Sequence, residues 1–112
     1  MKKILFLITL LVVSHSAYAE SYTEVNNLKV KSVFAGYEEG WAFFELESTV
    51  VNPNGCVSGQ NKIMGIDPER SDVDQVLSVL LYAHSSGRTI GIQIYNESCV
   101  YDHPVIRRVR VF

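Results

Sequence analysis

Catalytic signatures are what this sequence has least of. It contains no G-x-S-x-G, no H-E-x-x-H, no glycine-rich phosphate loop and no calcium loop. The hydrolase, metalloprotease, nucleotide-binding and calcium-binding chemistries that use them have no local foothold here. There is no C-x-x-C, and the two cysteines, Cys56 and Cys99, cannot fill a zinc shell with one neighbouring histidine. No cofactor, metal or catalytic residue is therefore expected. Basic excess is missing too: ten Lys and Arg stand against twelve Asp and Glu, for a net charge of −2. Proteins that grip nucleic acid usually carry a clear positive excess, so that partner is not expected.

Long apolar runs are scarce. The one that exists, Ile4 to Val13, is ten residues long, far short of the roughly 20 that a membrane-spanning helix needs. Lys2 and Lys3 precede it, and Ala17-Tyr18-Ala19 follows as an A-x-A cleavage site. Residues 1–19 therefore read as a cleaved signal peptide of bacterial type. Export places residues 20–112 in the periplasm or outside the cell, with no membrane attachment after cleavage. Losing two of the ten basic groups leaves eight against twelve, a net charge of −4.

The remaining 93 residues make one small domain, of the size that often needs a covalent staple. In an oxidising compartment an even pair of cysteines is most simply one disulfide, Cys56–Cys99. A closure over 43 positions is credited with roughly 4 kcal/mol in the chain-entropy treatment.

Ser71 to Gly87 is the one convincing helix of the exported part. Val73, Val76, Leu77, Leu80 and Leu81 fall on one stripe of a 3.6-residue period. Ser71 serves as N-cap, with Asp74 in the place of a capping-box acid. Gly87 suits the left-handed residue that ends a helix, and His84 suits the negative end of its dipole. So short a helix is marginal alone, and its stripe needs a sheet to cover.

The rest reads as strands and turns. Glu20 to Asn27 is a loose lead-in or short edge segment. A strand from Leu28 to Phe34, a turn at Glu38-Glu39-Gly40 and a strand from Trp41 to Val51 form a hairpin. Asn52-Pro53-Asn54-Gly55 is a turn leading into Cys56. Lys62 to Ile66 is a short third strand. After the helix, Ile90, Ile92 and Ile94 alternate along a fourth, with Gly91 marking a bulge or a close backbone approach. Asn96 to Pro104 is a loop carrying Cys99, and Val105 to Phe112 is the last strand. Strand, strand, strand, helix, strand, strand is the element order of a β-rich α+β fold. Its expected form is a five-stranded OB-like Greek-key barrel with one helix between strands 3 and 4. Val76, Leu77, Leu80 and Leu81 would plug one end of it.

The run LLYAHSSGRTIGIQIY (Leu80 to Tyr95), with the aromatic strand WAFFELES (Trp41 to Ser48), resembles the receptor-binding B subunits of AB5 toxins. The likeness is to those of the subtilase-cytotoxin and typhoid-toxin type. The likeness covers about half of residues 20–112, and it extends equally to small secreted bacterial proteins of no assigned role. It implies a disulfide-stapled OB barrel, a glycan or a host protein as partner, and a pentameric ring. Cys56 follows the second strand instead of lying within it, and the family's sugar-contacting serine has no counterpart here, so no binding residue is carried over.

Aromatic side chains are the better hint of function. If Phe44, Leu46 and Val50 face inward, Trp41 and Phe43 face outward, with Tyr37 on the adjacent turn and Tyr101 in the Cys99 loop. Such residues stack on sugars or fill a partner's pockets; equally, they cover a second small core or a subunit interface. Asp102-His103 reads as a solvated loop, and His84-Ser85-Ser86 as a helix's polar end. Arg107, Arg108 and Arg110 read as a solvated face or as protection of an exposed edge strand. A sharper reading pairs them with Glu45, Glu47 or Asp72 across a subunit contact. Asn96-Glu97-Ser98 matches a glycosylation acceptor by chance, given the bacterial leader. The expectation is a non-enzymatic exported module that binds glycan or protein. The alternative is a monomeric periplasmic structural or inhibitory protein without sugar affinity.

Overall fold

A computed structural model describes residues 21–56 and 61–112. The leader expected over residues 1–19 lies outside them. The chain forms β1 (Tyr22–Leu28), β2 (Val30–Phe34), a 3-10 turn (Glu38–Gly40), β3 (Ala42–Leu46), β4 (Ile63–Ile66), α1 (Val73–Ser86), β5 (Ile90–Val100) and β6 (His103–Val111). This is an α+β fold with six strands, not five, in one mixed sheet ordered β1-β5-β6-β4-β3-β2. Its helix lies between β4 and β5. All neighbours are antiparallel except β4 and β6, which run parallel through Gly65–Val105 and Ile66–Ile106. Among the described residues no ladder joins β1 to β2, so the sheet is open rather than a closed barrel.

Alternation explains the inner face. Ala42, Phe44 and Leu46 of β3, Met64 and Ile66 of β4, and Ile90, Ile92 and Ile94 of β5 are all buried in one core. Along β6 the phase changes. Gln93 faces Arg108 but Ile94 faces Ile106, which leaves Arg107 as a bulge residue. Ile106 and Val109 therefore both reach the core although they are three apart.

The sixth strand comes from the segment expected as a loose lead-in or short edge segment, and it is an edge strand. Tyr22 to Val25 pairs with Ile92 to Tyr95, and Leu28 with Ile90, across a bulge at Asn26 and Asn27. Gly91 makes that bulge fit, because any side chain there would collide with Asn26 Oδ1. Of the bulge or close backbone approach expected at Gly91, the bulge lies on the partner strand, and what comes close to Gly91 is the side chains of Asn26 and Phe112.

Helix α1 packs on β2 and β6 and buries Val76, Leu80 and Ala83. Leu77 is half-buried against the same core, whereas Leu81 is 55% exposed, one position too far round to share the stripe. Its N-cap is Asp72, which accepts from Gln75 N–H at 3.1 Å. Ser71, the expected cap, instead donates its hydroxyl to the Arg107 carbonyl at 3.0 Å and ties the helix start to β6. Gly87 ends the helix in the left-handed conformation, φ 67°.

Two further boundaries differ from expectation. The strand expected over Trp41 to Val51 is regular only from Ala42 to Leu46, although Val50 still reaches the core. The expected loop from Asn96 to Pro104 is the end of a long hairpin. β5 runs on to Val100, β6 starts at His103, and the turn between them is Tyr101-Asp102. Both turn residues have positive φ, 46° and 63°, as a two-residue hairpin turn of the primed kind requires. β6 is also an inner strand, flanked by β5 and β4, so its arginines protect no sheet edge.

Candidate functional site

The sheet's other face carries an aromatic cluster. Across it runs one row of directly paired residues: Phe34 of β2 faces Phe43 of β3, Phe43 faces Gly65 of β4, and Gly65 faces Val105 of β6. Phe43 is 4% exposed, yet it does not belong to the main core. Its ring stacks on Phe34 at 5.8 Å and meets the edges of Tyr37 at 5.2 Å and His103 at 5.5 Å. Offset and edge-on pairs at these separations are the arrangements that aromatic quadrupoles favour.

Above this floor is an open cleft of about 490 Å³, lined by Phe34, Tyr37, Glu38, Glu39, Phe43, Tyr101 and His103. Tyr37 and Tyr101 remain 51% and 70% exposed, so their rings are still available to a ligand. Of the four residues expected to bind, Tyr37, Phe43 and Tyr101 line this cleft. Trp41 does not line it; half-buried, it meets Tyr101 edge-on at 6.0 Å and supports that ring. The expectation that Phe43 faces outward holds for its side of the sheet. Burial under its neighbours makes it the floor of the cleft instead of an exposed contact.

Two elements set the walls. Tyr101 stands at the tip of the β5–β6 hairpin, two residues beyond Cys99. The Cys56–Cys99 disulfide, with Cα atoms 5.8 Å apart, ties that tip to the segment after β3. Asn52 organises the segment: its Oδ1 accepts from Cys56 N–H at 2.8 Å and its amide donates to Asn61 Oδ1 at 2.8 Å. On the opposite wall the chain turns sharply between β2 and β3. Gly36, Glu39 and Gly40 all take positive φ there, at 99°, 64° and 82°. Glu39 holds a left-handed backbone that a non-glycine residue rarely adopts, and such outliers collect where a site constrains the chain.

The rest of the expected chemistry disperses. His103 is no part of a solvated loop: it lies on β6 against Phe43, while Asp102 is exposed at the turn. His84 Nε2 lies 3.1 Å from the Lys31 carbonyl, and the hydroxyls of Ser85 and Ser86 donate back to the Tyr82 carbonyl at 3.1 and 2.7 Å. The three do not converge on a substrate atom. Within the chain, Arg107 stacks over Tyr22 at 4.8 Å and Arg110 over Phe112 at 4.5 Å, while Glu45 pairs with Lys31 at 3.5 Å. Asn96 lies in β5, where its amide donates to Ser21 Oγ at 3.1 Å. Among the described residues no group of three or more His, Cys, Asp or Glu is placed to hold a metal ion, and no helix is long and apolar enough to cross a membrane. The disulfide fits an oxidising compartment.

Phe34, Glu38, Glu39 and His103 were not among the residues expected to bind. For the first three the signal is local density: Phe34, Tyr37, Trp41, Phe43 and Phe44 fall within one short run, with Glu38 and Glu39 between them, whereas nothing in the sequence places His103 beside it. Another cleft, of about 500 Å³, lies between the start of α1 and β6. Two of its arginines are already engaged, Arg70 with Asp67 at 3.5 Å and Arg107 with Tyr22, which leaves the aromatic cleft as the stronger candidate. No family profile, no curated protein and no solved structure matches the chain.

Proposed function

We propose that this protein is an exported, non-enzymatic binding module that holds a sugar ring in the aromatic cleft. One observation carries the reading: the exposed rings of Tyr37 and Tyr101 stand around a rigid Phe43 floor, with two carboxylates beside them. The apolar face of a pyranose stacks on such rings. Its hydroxyls donate to acceptors of the kind that Glu38 and Glu39 offer. Export rests on the leader-like residues 1–19 and on the disulfide.

The fold belongs to the same proposal. β1 and β2 are the outermost strands of the sheet, yet only Lys29 separates them in the chain. A sheet whose two margins meet at one residue has to curl. That supports a partly open Greek-key barrel of the OB type, in which the first strand is shared between both margins. Membership of a pentameric ring rests on the family resemblance alone.

Titration with a panel of neutral and charged oligosaccharides, followed by NMR, tests the reading. Binding is expected to shift the ring resonances of Tyr37, Phe43 and Tyr101, and Tyr101→Ala is expected to abolish it. If no oligosaccharide moves those resonances, the cleft is a second small core and the sugar reading is wrong. Native mass tests the ring separately: a single-chain mass removes the ring and leaves the cleft.

A further inference from the structure

The cleft has a charge as well as a shape. Glu38 and Glu39 sit side by side in its wall, and both are exposed. Among the described residues neither enters an ion pair or a side-chain hydrogen bond. No lysine or arginine lines the cleft to neutralise them; His103, the one basic side chain of the lining, is packed edge-on against Phe43 at the floor. Four rings, Phe34, Tyr37, Phe43 and Tyr101, line the cleft beneath and beside them, and the face of an aromatic ring carries negative potential. Carboxylates and ring faces therefore favour the same kind of ligand, a cation.

A neutral sugar would use the rings and leave both carboxylates without a counter-charge. An acidic sugar would meet repulsion from both. We propose that the cleft selects amino sugars whose nitrogen is unacetylated and protonated, the ammonium lying between the Glu38 and Glu39 carboxylates and the aromatic floor. This rests on the sugar-binding reading and narrows it to one ligand class. The net negative charge of the exported part adds a long-range pull on cationic oligomers.

The decisive comparison uses two ligands that differ only in charge. The exported chain, with its disulfide intact, is titrated calorimetrically with a short glucosamine oligomer and with the fully N-acetylated oligomer of equal length, at mildly acidic pH. The glucosamine oligomer is expected to bind about tenfold tighter or more, with a preference that shrinks as salt is added. In the Glu38→Gln/Glu39→Gln double variant the two affinities are expected to converge on that of the acetylated oligomer. Both positions are exposed, so an unchanged melting curve shows the fold intact.

Equal or tighter binding of the acetylated oligomer overturns the cation preference and leaves the sugar-binding reading standing. Binding of neither oligomer removes the amino-sugar proposal, and the wider oligosaccharide panel then decides the sugar-binding reading by itself. Glucosamine binding that survives Tyr101→Ala identifies diffuse attraction to the acidic surface and also overturns the proposal.

Discussion

Phe43 and Gly65 face each other across the β3–β4 ladder, and the Phe43 ring lies close against the place where a Gly65 side chain would start. A Cβ on Gly65 would stand 3.3 Å from Phe43 Cε1 and 3.7 Å from the Pro104 carbonyl. The glycine thus lets the aromatic floor lie flat on the sheet. Replacing it sets two effects against each other. An added methyl recovers about 0.5–1 kcal/mol of backbone entropy, whereas crowding a packed site costs about 1–3 kcal/mol. Gly65→Ala is expected to change stability by less than about 1 kcal/mol, since the ring edge has only to tilt. Gly65→Val is expected to cost about 1–3 kcal/mol, drive the Phe43 ring into the cleft and weaken ligand binding. Urea denaturation beside a ligand titration checks both; a Gly65→Val protein that binds normally would show that the floor does not depend on this contact.

Burial separates the roles of Phe43 and Tyr101. Phe43→Ala removes a ring that is 4% exposed and is expected to cost about 3–5 kcal/mol. Tyr101→Ala removes one that is 70% exposed, with an expected stability change within about 0.5 kcal/mol. Ligand affinity is expected to fall in both. Only the Tyr101 variant should lose affinity while its unfolding midpoint stays put, and that dissociation is what a binding residue shows and a core residue does not.

The helix offers a sharper contrast still, between adjacent leucines. Leu80 is fully buried and Leu81 is 55% exposed. Leu80→Ala is expected to cost about 2–5 kcal/mol, and Leu81→Ala no more than about 0.5 kcal/mol. Comparable losses at the two positions would place α1 in a different rotation about its axis.

That pair also marks how far periodicity reaches. The stripe Val73, Val76, Leu77, Leu80 is legible because its spacing is helical whatever the helix packs on. Where the stripe ends is decided by the sheet, which takes Ala83 and leaves Leu81 to water. Alternation likewise reveals the isoleucines of β5. It fails on β1, because Tyr22–Leu28 has polar residues on both faces and its two asparagines form a bulge that breaks the alternation. It fails again at the β5–β6 hairpin. Pro104 argues against a strand, and the turn Tyr101-Asp102 takes its positive φ without a glycine. Pro104 is tolerated there because it pairs with Cys99 where the ladder is already irregular. The site was half legible for the same reason. Tyr37, Trp41 and Phe43 are close in sequence, but only the hairpin brings Tyr101 and His103 to them.

Reduction of the disulfide should separate stability from site geometry. The Cys56–Cys99 bridge closes 43 positions, for which chain entropy alone gives about 4 kcal/mol. For a domain of this size that corresponds to a fall of roughly 20 °C in melting temperature. The bridge also anchors the hairpin two residues before Tyr101, so its loss frees one wall of the cleft while Phe43 stays packed on the sheet. The Cys56→Ser/Cys99→Ser variant is therefore expected to melt far lower. At a temperature where it remains folded, it should bind more weakly than the oxidised chain. Calorimetric melting and a titration below the transition check the two effects independently. Were the folded double variant to bind as tightly as the oxidised protein, Tyr101 would be held by its contact with Trp41 and the hairpin's own register, and the bridge would serve stability alone.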